Sequence, residues 1–379
     1  MEKIVIASDS FKGSLGSPEV AAAVAQAVRA VFPDCQAICL EMADGGEGTL
    51  EALFNTLGGS KIQVIVKDPL GNDILSEYAI VDIPGKGPAA VIEMSKASGL
   101  TLIPPEYRNP LNTTTIGTGQ LISDALGRGC RTFLTGIGGS ATNDAGIGML
   151  SALGWRFLDS EGKELPPVGA SLGKICHIDD GGKDPHLENC SFKTACDVDT
   201  AFCGKEGAAF VFAPQKGAGP EQVGILDAGL ESFAEVILNT TGIDVRNLSG
   251  AGAAGGMGGA FKAFLGSELL PGAEMVLDAI GFDALAAGAD LVITGEGRMD
   301  SQTLMGKAPY SVLRHSSKLG VPTVAIAGKV HDADLLRQAG FKEVLCINPP
   351  DMTLETAMRP EVARRNVFDT VEKYLSSIL

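Results

Sequence analysis

Basic residues are in short supply in this sequence. Its 379 residues include 30 Lys and Arg against 46 Asp and Glu, which gives a formal net charge of −16 at pH 7. A surface that binds nucleic acid needs a basic patch to neutralise the phosphates. The sequence has no basic stripe of this kind, so we do not expect a nucleic-acid partner.

Long apolar runs are also missing. No window approaches the roughly 18 consecutive apolar residues that a transmembrane helix requires. The first residues carry only the short apolar run 4–7 before Asp9, which predicts a strand and not a secretory signal. We therefore expect a cytoplasmic protein that has no membrane partner.

Neither the cysteines nor the histidines have the spacing of metal ligands. The eight cysteines contain no CxxC pair, and the four histidines form no HxxxH or HExxH pattern. Structural zinc and zinc-dependent hydrolysis are therefore not expected, and the cysteines are expected to be reduced and mostly buried. The GxSxG nucleophile elbow is absent as well.

What the sequence does contain is an alternation of apolar runs and helical spacing at both ends. Glycines number 49 and aromatics make up only 5%, a mixture typical of α/β folds with many βα turns. Alternating strands and helices imply a parallel sheet. The expected strands here are 3–7, 36–40, 291–294, 322–327 and 343–347, and the expected helices are 17–32, 47–57, 309–319, 332–339 and 355–379.

The middle of the chain has a different pattern. Strands at 62–66, 76–81 and 89–93 are separated by turns and read as a meander, and helices follow. We therefore predict an α/β protein with a discontinuous Rossmann-like, three-layer domain and an inserted α/β domain with a mixed sheet. The first comprises residues 1–60 and 281–379, with a parallel sheet; the second comprises residues 61–280.

A polar segment with Asp9, Ser10, Lys12 and Gly13 follows the first predicted strand. In an open α/β sheet, ligands bind beyond the carboxyl ends of the strands, so this segment faces the expected site. The aspartate can hold a hydroxyl group, and the lysine can bind a carboxylate or a phosphate. A polar turn with a capping serine is the alternative.

The second predicted strand is followed by a turn that contains Asp44, Glu47 and three glycines. Glycine loses the most chain entropy on folding, so this composition is costly for a simple turn. The turn would place Asp44 against a substrate hydroxyl. The alternative is a helix start, with Glu47 in the first turn where the helix dipole favours it.

The segment 136–144 is the best phosphate-binding sequence in the chain. Gly138, Gly139, Ser140 and Asn143 lie between a predicted strand, 131–134, and a predicted helix, 144–153. Successive glycine amides at a helix N-terminus form an anion-binding nest, to which a serine adds a hydroxyl donor. Helix capping alone would also use glycine and serine.

Three further segments carry acids, bases or glycines. Asp197 and Asp199 follow a predicted strand, 193–195, and their alternation suits Mg²⁺ or a general base, although a solvated acidic turn fits equally well. Lys216 lies in a tight turn that by itself is typical of a surface loop. The run 250–255 matches GxGxxG, but no clear strand precedes it, which favours close helix packing over phosphate contact.

The densest polar segment follows the strand predicted at 291–294. Glu296 and Asp300 can engage a metal or a hydroxyl group, whereas Arg298 and Lys307 can neutralise a transferring phosphoryl group. Taken alone, these residues indicate an α/β enzyme and favour phosphoryl transfer without naming a substrate. A nicotinamide-dependent oxidoreductase and a non-catalytic sugar-acid sensor remain as alternatives.

Seven ordered motifs resemble those of the bacterial glycerate kinase family, the type I family that is also called glycerate 2-kinase. They are DSFKGSL (9–15), ADGGEGT (43–49), GGSATNDAG (138–146), ACDVD (195–199), PQKGA (214–218), GAGAAGG (250–256) and TGEGRMDSQTLMGK (294–307).

The resemblance implies transfer of the ATP γ-phosphoryl group to D-glycerate, with Mg²⁺, in the cleft of a two-domain protein. It implies 2-phosphoglycerate as the product, with 3-phosphoglycerate as the alternative, and a role in glyoxylate or glucarate catabolism. We expect a monomer or a homodimer. The expected catalytic residues are Asp197, Asp44, Lys12 and Arg298, and the expected ATP-binding residues are Gly138, Gly139, Ser140, Asn143, Lys216 and Lys307. Substrate is assigned to Asp9, Ser10, Lys12, Asp44, Arg298, Gln302 and Thr303, and Mg²⁺ to Asp199, Glu296 and Asp300.

Overall fold

The structure is a computed structural model, and it describes residues 1–43, 45–46 and 48–379. Their β-strands are β1 (Lys3–Ser8), β2 (Gln36–Glu41), β3 (Ser60–Lys67), β4 (Asp73–Ile83), β5 (Gly87–Glu93), β6 (Thr132–Gly136), β7 (Arg156–Leu158), β8 (His177–Asp179), β9 (Ser191–Ala195), β10 (Glu268–Leu270), β11 (Leu291–Met299), β12 (Thr323–Val330) and β13 (Glu343–Cys346). Their α-helices are α1 (Ser17–Val31), α2 (Thr49–Leu57), α3 (Ser95–Ser98), α4 (Ile116–Gly127), α5 (Ile147–Ala152), α6 (Ala208–Phe212), α7 (Pro220–Thr241), α8 (Ala253–Leu265), α9 (Gly272–Ile280), α10 (Phe282–Ala286), α11 (Ala308–Lys318), α12 (Ala333–Gln338), α13 (Leu354–Ala357) and α14 (Pro360–Ser377).

The chain folds into two compact units. One contains residues 1–44 and 276–379, and the other contains residues 45–275. The sequence placed the two crossings near residues 60 and 280. The first crossing comes before α2 because this helix packs on β4 and β5 of the second unit.

The first unit is built on a five-stranded parallel sheet in the order β13-β12-β11-β1-β2. Successive side chains of a strand point to opposite faces of the sheet. Val324 and Ile326 of β12 accordingly join a core with α1 and α14, whereas Ala325 and Ala327 join a second core with Leu313 of α11. Helices cover both faces of the sheet, which confirms the predicted Rossmann-like, three-layer arrangement.

The second unit contains a six-stranded mixed sheet in the order β10-β9-β6-β5-β4-β3. The pairs β3–β4 and β4–β5 are antiparallel, and the pairs from β5 to β10 are parallel. The first three strands form the predicted meander, and the mixed sheet is confirmed. The parallel strands bring the carboxyl ends of β5, β6, β9 and β10 to one edge of this sheet.

Several local expectations are wrong. The C-terminal segment forms two helices, because Pro360 has no amide proton and disfavours a helical residue before it. Strand β11 continues to Met299 instead of ending at Thr294, and it pairs with β12 along this extension. The cysteines are all free, as expected, but only two of the eight are buried. None of the helices in the described part of the chain combines the length and the apolarity of a membrane-spanning segment.

Candidate active site

The first unit gathers two predicted motifs at one edge of its sheet. Strands β1 and β11 are parallel neighbours, and Ser8 pairs with Gly295 at their carboxyl ends. The amide of Asp9 donates to the carbonyl oxygen of Gly295 over 2.9 Å. The segment that carries Asp9, Ser10 and Lys12 therefore begins beside Glu296.

Apolar anchors hold the segment after β1. Phe11 and Leu15 are each 3% exposed, and the Phe11 amide donates to the Leu15 carbonyl oxygen over 2.8 Å. Lys12 lies exposed between these anchors. A Cβ atom at Gly297 would lie 3.4 Å from the amide nitrogen of Lys12, so glycine allows the segment to lie against β11.

Glu296 is a buried carboxylate with two partners. Thr303 Oγ1 donates to Glu296 Oε1 over 2.7 Å, and Lys307 Nζ lies 3.3 Å from Oε2. Burial raises the pKa of Glu296, and these two donors oppose the shift. The arrangement keeps a carboxylate beside a lysine at the end of a parallel strand.

Arg298, Asp300 and Gln302 form a second connected group. Arg298 Nε lies 3.1 Å from Asp300 Oδ2, and the Gln302 amide donates to Asp300 Oδ1 over 3.0 Å. The Arg298 side chain remains 64% exposed. A guanidinium held in this way can bind a carboxylate or a phosphate with two parallel hydrogen bonds.

These acids also fit a magnesium ion by their chemistry. Mg²⁺ prefers oxygen ligands and is usually held by one or two carboxylates together with substrate phosphates. Glu296 and Asp300 offer two carboxylates, and each oxygen that accepts one hydrogen bond retains a second lone pair. Among residues 1–43, 45–46 and 48–379, no group of three or more His, Cys, Asp or Glu side chains has the geometry of a metal site.

In the second unit, the carboxyl ends of neighbouring strands align Glu93 of β5, Gly136 of β6 and Ala195 of β9. A glycine turn follows β6 directly. Gly139 has a φ of +74°, a conformation that favours glycine. The Leu100 amide donates to the Gly139 carbonyl oxygen over 2.8 Å and fixes the turn.

Lys216 is buried against this turn, so the expectation of a surface loop is wrong. Its Nζ donates over 2.6 Å to Ser140 Oγ and over 2.6 Å to the Thr142 carbonyl oxygen. Burial lowers the pKa of Lys216 to about 7. The sequence around Lys216 carries no apolar periodicity that would have predicted this burial.

The helix predicted at 144–153 starts later than expected. Helix α5 begins at Ile147, and the buried Asp144 carboxylate accepts hydrogen bonds from the amides of Gly146 and Gly148, each over 3.2 Å. It further accepts from the Thr115 amide and hydroxyl, each over 2.8 Å. A protein carboxylate thus binds the first amides of α5, and the assignment of Gly138, Gly139 and Ser140 to a phosphate stays a prediction.

The remaining residues assigned from sequence in this unit have different surroundings. Asn143 is fully buried, and neither polar atom of its side chain has a hydrogen-bond partner in the described residues. Asp197 is exposed, and its Oδ1 accepts from the Gly272 amide over 2.9 Å. Asp199 Oδ1 accepts from Ser249 Oγ over 2.6 Å. The predictions for Asp44 and Glu47 lie outside the described residues.

Close packing holds Gly45 and Gly46, the two glycines that separate Asp44 and Glu47 in the sequence. A Cβ atom at Gly45 would lie 2.3 Å from Ala195 Cβ, and one at Gly136 would lie 2.4 Å from the Gly45 carbonyl oxygen. The turn therefore lies directly on the ends of β6 and β9. Sequence reasoning missed Glu93, whose Oε1 accepts a hydrogen bond from the Leu50 amide of α2 over 2.9 Å. An acid at the end of the apolar run 89–92 was the signal that could have found it.

The GxGxxG run serves packing, as the sequence favoured. It leads into α8, and a Cβ atom at Gly255 would lie 2.2 Å from the Thr142 carbonyl oxygen. A side chain at Gly252 would similarly approach the Ala201 carbonyl oxygen to 1.9 Å. These glycines allow backbone segments to approach closely.

Glycine turns, carboxylates and basic side chains at the carboxyl ends of parallel strands together define an α/β enzyme equipped for phosphoryl transfer. The sequence model of the Glycerate kinase family matches residues 4–379. A glycerate kinase of Haemophilus influenzae is 46% identical over 346 residues, which are 91% of each chain. The glycerate 2-kinase of Escherichia coli is 44% identical over 358 residues, 94% of this chain and 93% of that one.

A solved structure from Salmonella typhimurium, assigned as a glycerate kinase 2, has the same fold. Its TM-score is 0.88 at 44% identity, and the match covers 100% of this chain and 98% of that chain. The chain belongs to the glycerate kinase family. The resemblance carried by its seven motifs is confirmed, and so is its prediction as an enzyme of the kinase class.

Proposed function

We propose that this protein transfers the γ-phosphoryl group of ATP to D-glycerate and forms 2-phosphoglycerate. The observation that carries the proposal is the family match over residues 4–379, joined to polar groups at the carboxyl ends of parallel strands in each unit. Phosphoryl transfer needs positioned reactants and neutralised phosphate charge more than it needs covalent chemistry. The two sets of side chains can provide both.

Residues of the first unit are suited to bind the carboxylate of glycerate and a magnesium ion. Arg298 and Lys12 would bind the glycerate carboxylate, with Asp9, Ser10, Gln302 and Thr303 contributing polar contacts. Glu296 and Asp300 would hold Mg²⁺, which supplies positive charge beside the phosphates. Asp199, which belongs to the second unit, is a further candidate ligand.

The nucleotide and the proton transfer are assigned mainly to residues of the second unit, whereas Lys307 belongs to the first unit. The amides of Gly138 and Gly139 and the hydroxyl of Ser140 would bind phosphate oxygens, and Lys307 would add positive charge. Asp197 would accept the proton of the substrate hydroxyl, with Asp44 as the alternative base.

The proposal is tested by incubating the purified protein with ATP, Mg²⁺ and D-glycerate and reading the product by phosphorus NMR. A 2-phosphoglycerate resonance is expected. A 3-phosphoglycerate resonance would correct the position of transfer, and consumption of ATP only with a different hydroxy acid would correct the substrate. L-Glycerate serves as the matched control, because it has the same charge and the opposite configuration.

A further inference from the structure

Lys216 is a buried lysine whose ammonium group contacts the segment that follows the glycine turn. The residue is 2% exposed, and both contacts of its ammonium group, with Ser140 Oγ and with the Thr142 carbonyl oxygen, are 2.6 Å long. An ammonium group has three donors and no acceptor. While Lys216 is protonated, the Ser140 hydroxyl must therefore accept from it.

This contact determines what the Ser140 hydroxyl can do next. A hydroxyl group has one proton and two acceptor lone pairs. Because Lys216 occupies the acceptor side, the Ser140 proton points away from Lys216, and no residue of 1–43, 45–46 or 48–379 accepts it. Within the same ranges, the amides of Gly138 and Gly139 likewise have no acceptor. Within the described residues, the turn thus holds three donors that have no acceptor.

We propose that Lys216 is a positioning residue of the nucleotide site, which holds the Ser140 hydroxyl as a donor to a phosphate oxygen of ATP. The inference rests on the proposed kinase function and adds a role to it. Lys216 acts through Ser140 and does not touch the nucleotide.

The role depends on the proton that Lys216 carries. A neutral amine has a lone pair, to which the Ser140 hydroxyl would donate, and the hydroxyl proton would then turn away from the nucleotide. Burial lowers the pKa of Lys216 to about 7, whereas the charge of Asp144 opposes this shift. The nearby Arg108 guanidinium donates to the Ile103 and Leu100 carbonyl oxygens. A bound phosphate raises the pKa of Lys216 by attraction, so nucleotide binding above pH 7 takes up protons.

The test is calorimetric binding of the Mg²⁺ complex of β,γ-imido-ATP to the intact protein. Lys216→Met and Ser140→Ala should each weaken binding roughly ten- to a hundredfold, the effect of one hydrogen bond to a charged group. The double variant should be no weaker than the worse single variant, because one residue acts through the other. Wild-type affinity should fall as the pH rises above about 7, and Lys216→Met should lose this dependence.

Steady-state kinetics distinguishes an effect on ATP binding from an effect on D-glycerate binding. Lys216→Met should raise the KM for ATP and leave the KM for D-glycerate unchanged. Lys205→Met, the same substitution at an exposed lysine of the same unit, should leave the affinity for the nucleotide unchanged. Additive effects of Lys216→Met and Ser140→Ala, or an effect of Lys216→Met on the KM for D-glycerate alone, would overturn the proposal.

If Lys216→Met does not fold, the proposal can still be tested on the wild-type protein. Titration in buffers of different ionisation enthalpy at pH 8 measures the protons taken up with the nucleotide. Uptake supports the proposal, and its absence overturns it. A wild-type protein that binds the nucleotide without phosphorylating D-glycerate would contradict the proposed function alone.

Discussion

The Glu93 carboxylate accepts a hydrogen bond of 2.9 Å from the amide of Leu50, 43 positions earlier in the chain. The N-cap of α2 is Gly48, which has no side chain to cap the helix. A buried acid from β5 therefore supplies the cap that the local sequence lacks.

Glu93→Ala should lower the free energy of unfolding by about 1–3 kcal/mol, since the buried amide of Leu50 loses its acceptor. Glu93→Gln keeps an acceptor oxygen, so its free energy of unfolding should fall less than that of Glu93→Ala. Urea denaturation of both variants measures the difference. Equal losses in the two variants would show that the charge, and not the acceptor, stabilises this position.

Gly45→Ala should displace the turn from the end of β9. The added Cβ atom would lie 2.3 Å from Ala195 Cβ and 2.7 Å from Gly272 Cα, at a φ of +81°. Gly48 has a φ of +93° with no atom within 4 Å of the added Cβ. Gly48→Ala is thus a matched control that introduces the left-handed strain, about 1–2 kcal/mol, without the clash.

We expect kcat/KM for Gly45→Ala to fall at least about tenfold further than for Gly48→Ala, the equivalent of about 1.4 kcal/mol. The assay is phosphorylation of D-glycerate at fixed ATP. If both variants lost the same activity, the backbone conformation of the segment would matter and its contact with β9 would not.

The architecture was predictable because it depends on local pattern. The apolar runs at Ile4 and Leu291 predicted parallel strands, and parallel strands bring the segments that follow them to one edge. The end of β11 was not predictable in the same way. Gly295 and Gly297 suggest a turn, yet here glycine permits close approach of neighbouring backbones: a Cβ atom at Gly295 would lie 2.3 Å from the Ile326 carbonyl oxygen.

Contacts between segments that are distant in the sequence explain the features of the site that were not predicted. Lys216 is polar, lies in a short turn, and is buried only because Ser140 and Thr142 provide acceptors from another part of the chain. Asp144 was placed in a phosphate-binding helix start, but Thr115, 29 positions earlier, and the first amides of α5 bind it instead. Spacing along the sequence does not contain these partners.

Asp144 should make stability depend on pH. Burial raises its pKa above the ordinary value of 3.8, so the folded protein holds this proton more tightly than the unfolded chain does. The resulting stabilisation is complete below about pH 3.8 and is lost as the pH rises through the folded pKa. The difference in unfolding free energy between wild type and Asp144→Asn, measured at a series of pH values, should therefore shrink over this window. A constant difference would show that the pKa of Asp144 is not raised.

Arg298→Ala should raise the KM for D-glycerate roughly ten- to a hundredfold, because a charged hydrogen-bonding partner of the carboxylate is lost. The KM for ATP should change much less. Arg298→Lys keeps the charge but lacks the planar guanidinium group. Its KM for D-glycerate should therefore lie between those of wild type and Arg298→Ala. Arg337→Ala is the matched control, because Arg337 is another partly exposed arginine of the same unit that pairs with carboxylates. An unchanged KM for D-glycerate in Arg298→Ala would remove this residue from carboxylate binding.

Asp197→Asn should separate catalysis from folding. The Gly272 amide donates to Asp197 Oδ1 over 2.9 Å, and the oxygen of an asparagine side chain can still accept this hydrogen bond. The amide cannot accept the proton of the substrate hydroxyl, so kcat should fall about 10²- to 10⁴-fold, the usual contribution of a general base. The thermal unfolding midpoint should stay close to that of wild type. Asp197→Ala removes the acceptor as well and should lose stability in addition to turnover. If Asp197→Asn kept its turnover, Asp197 would not be the base, and Asp44 would be the next residue to substitute.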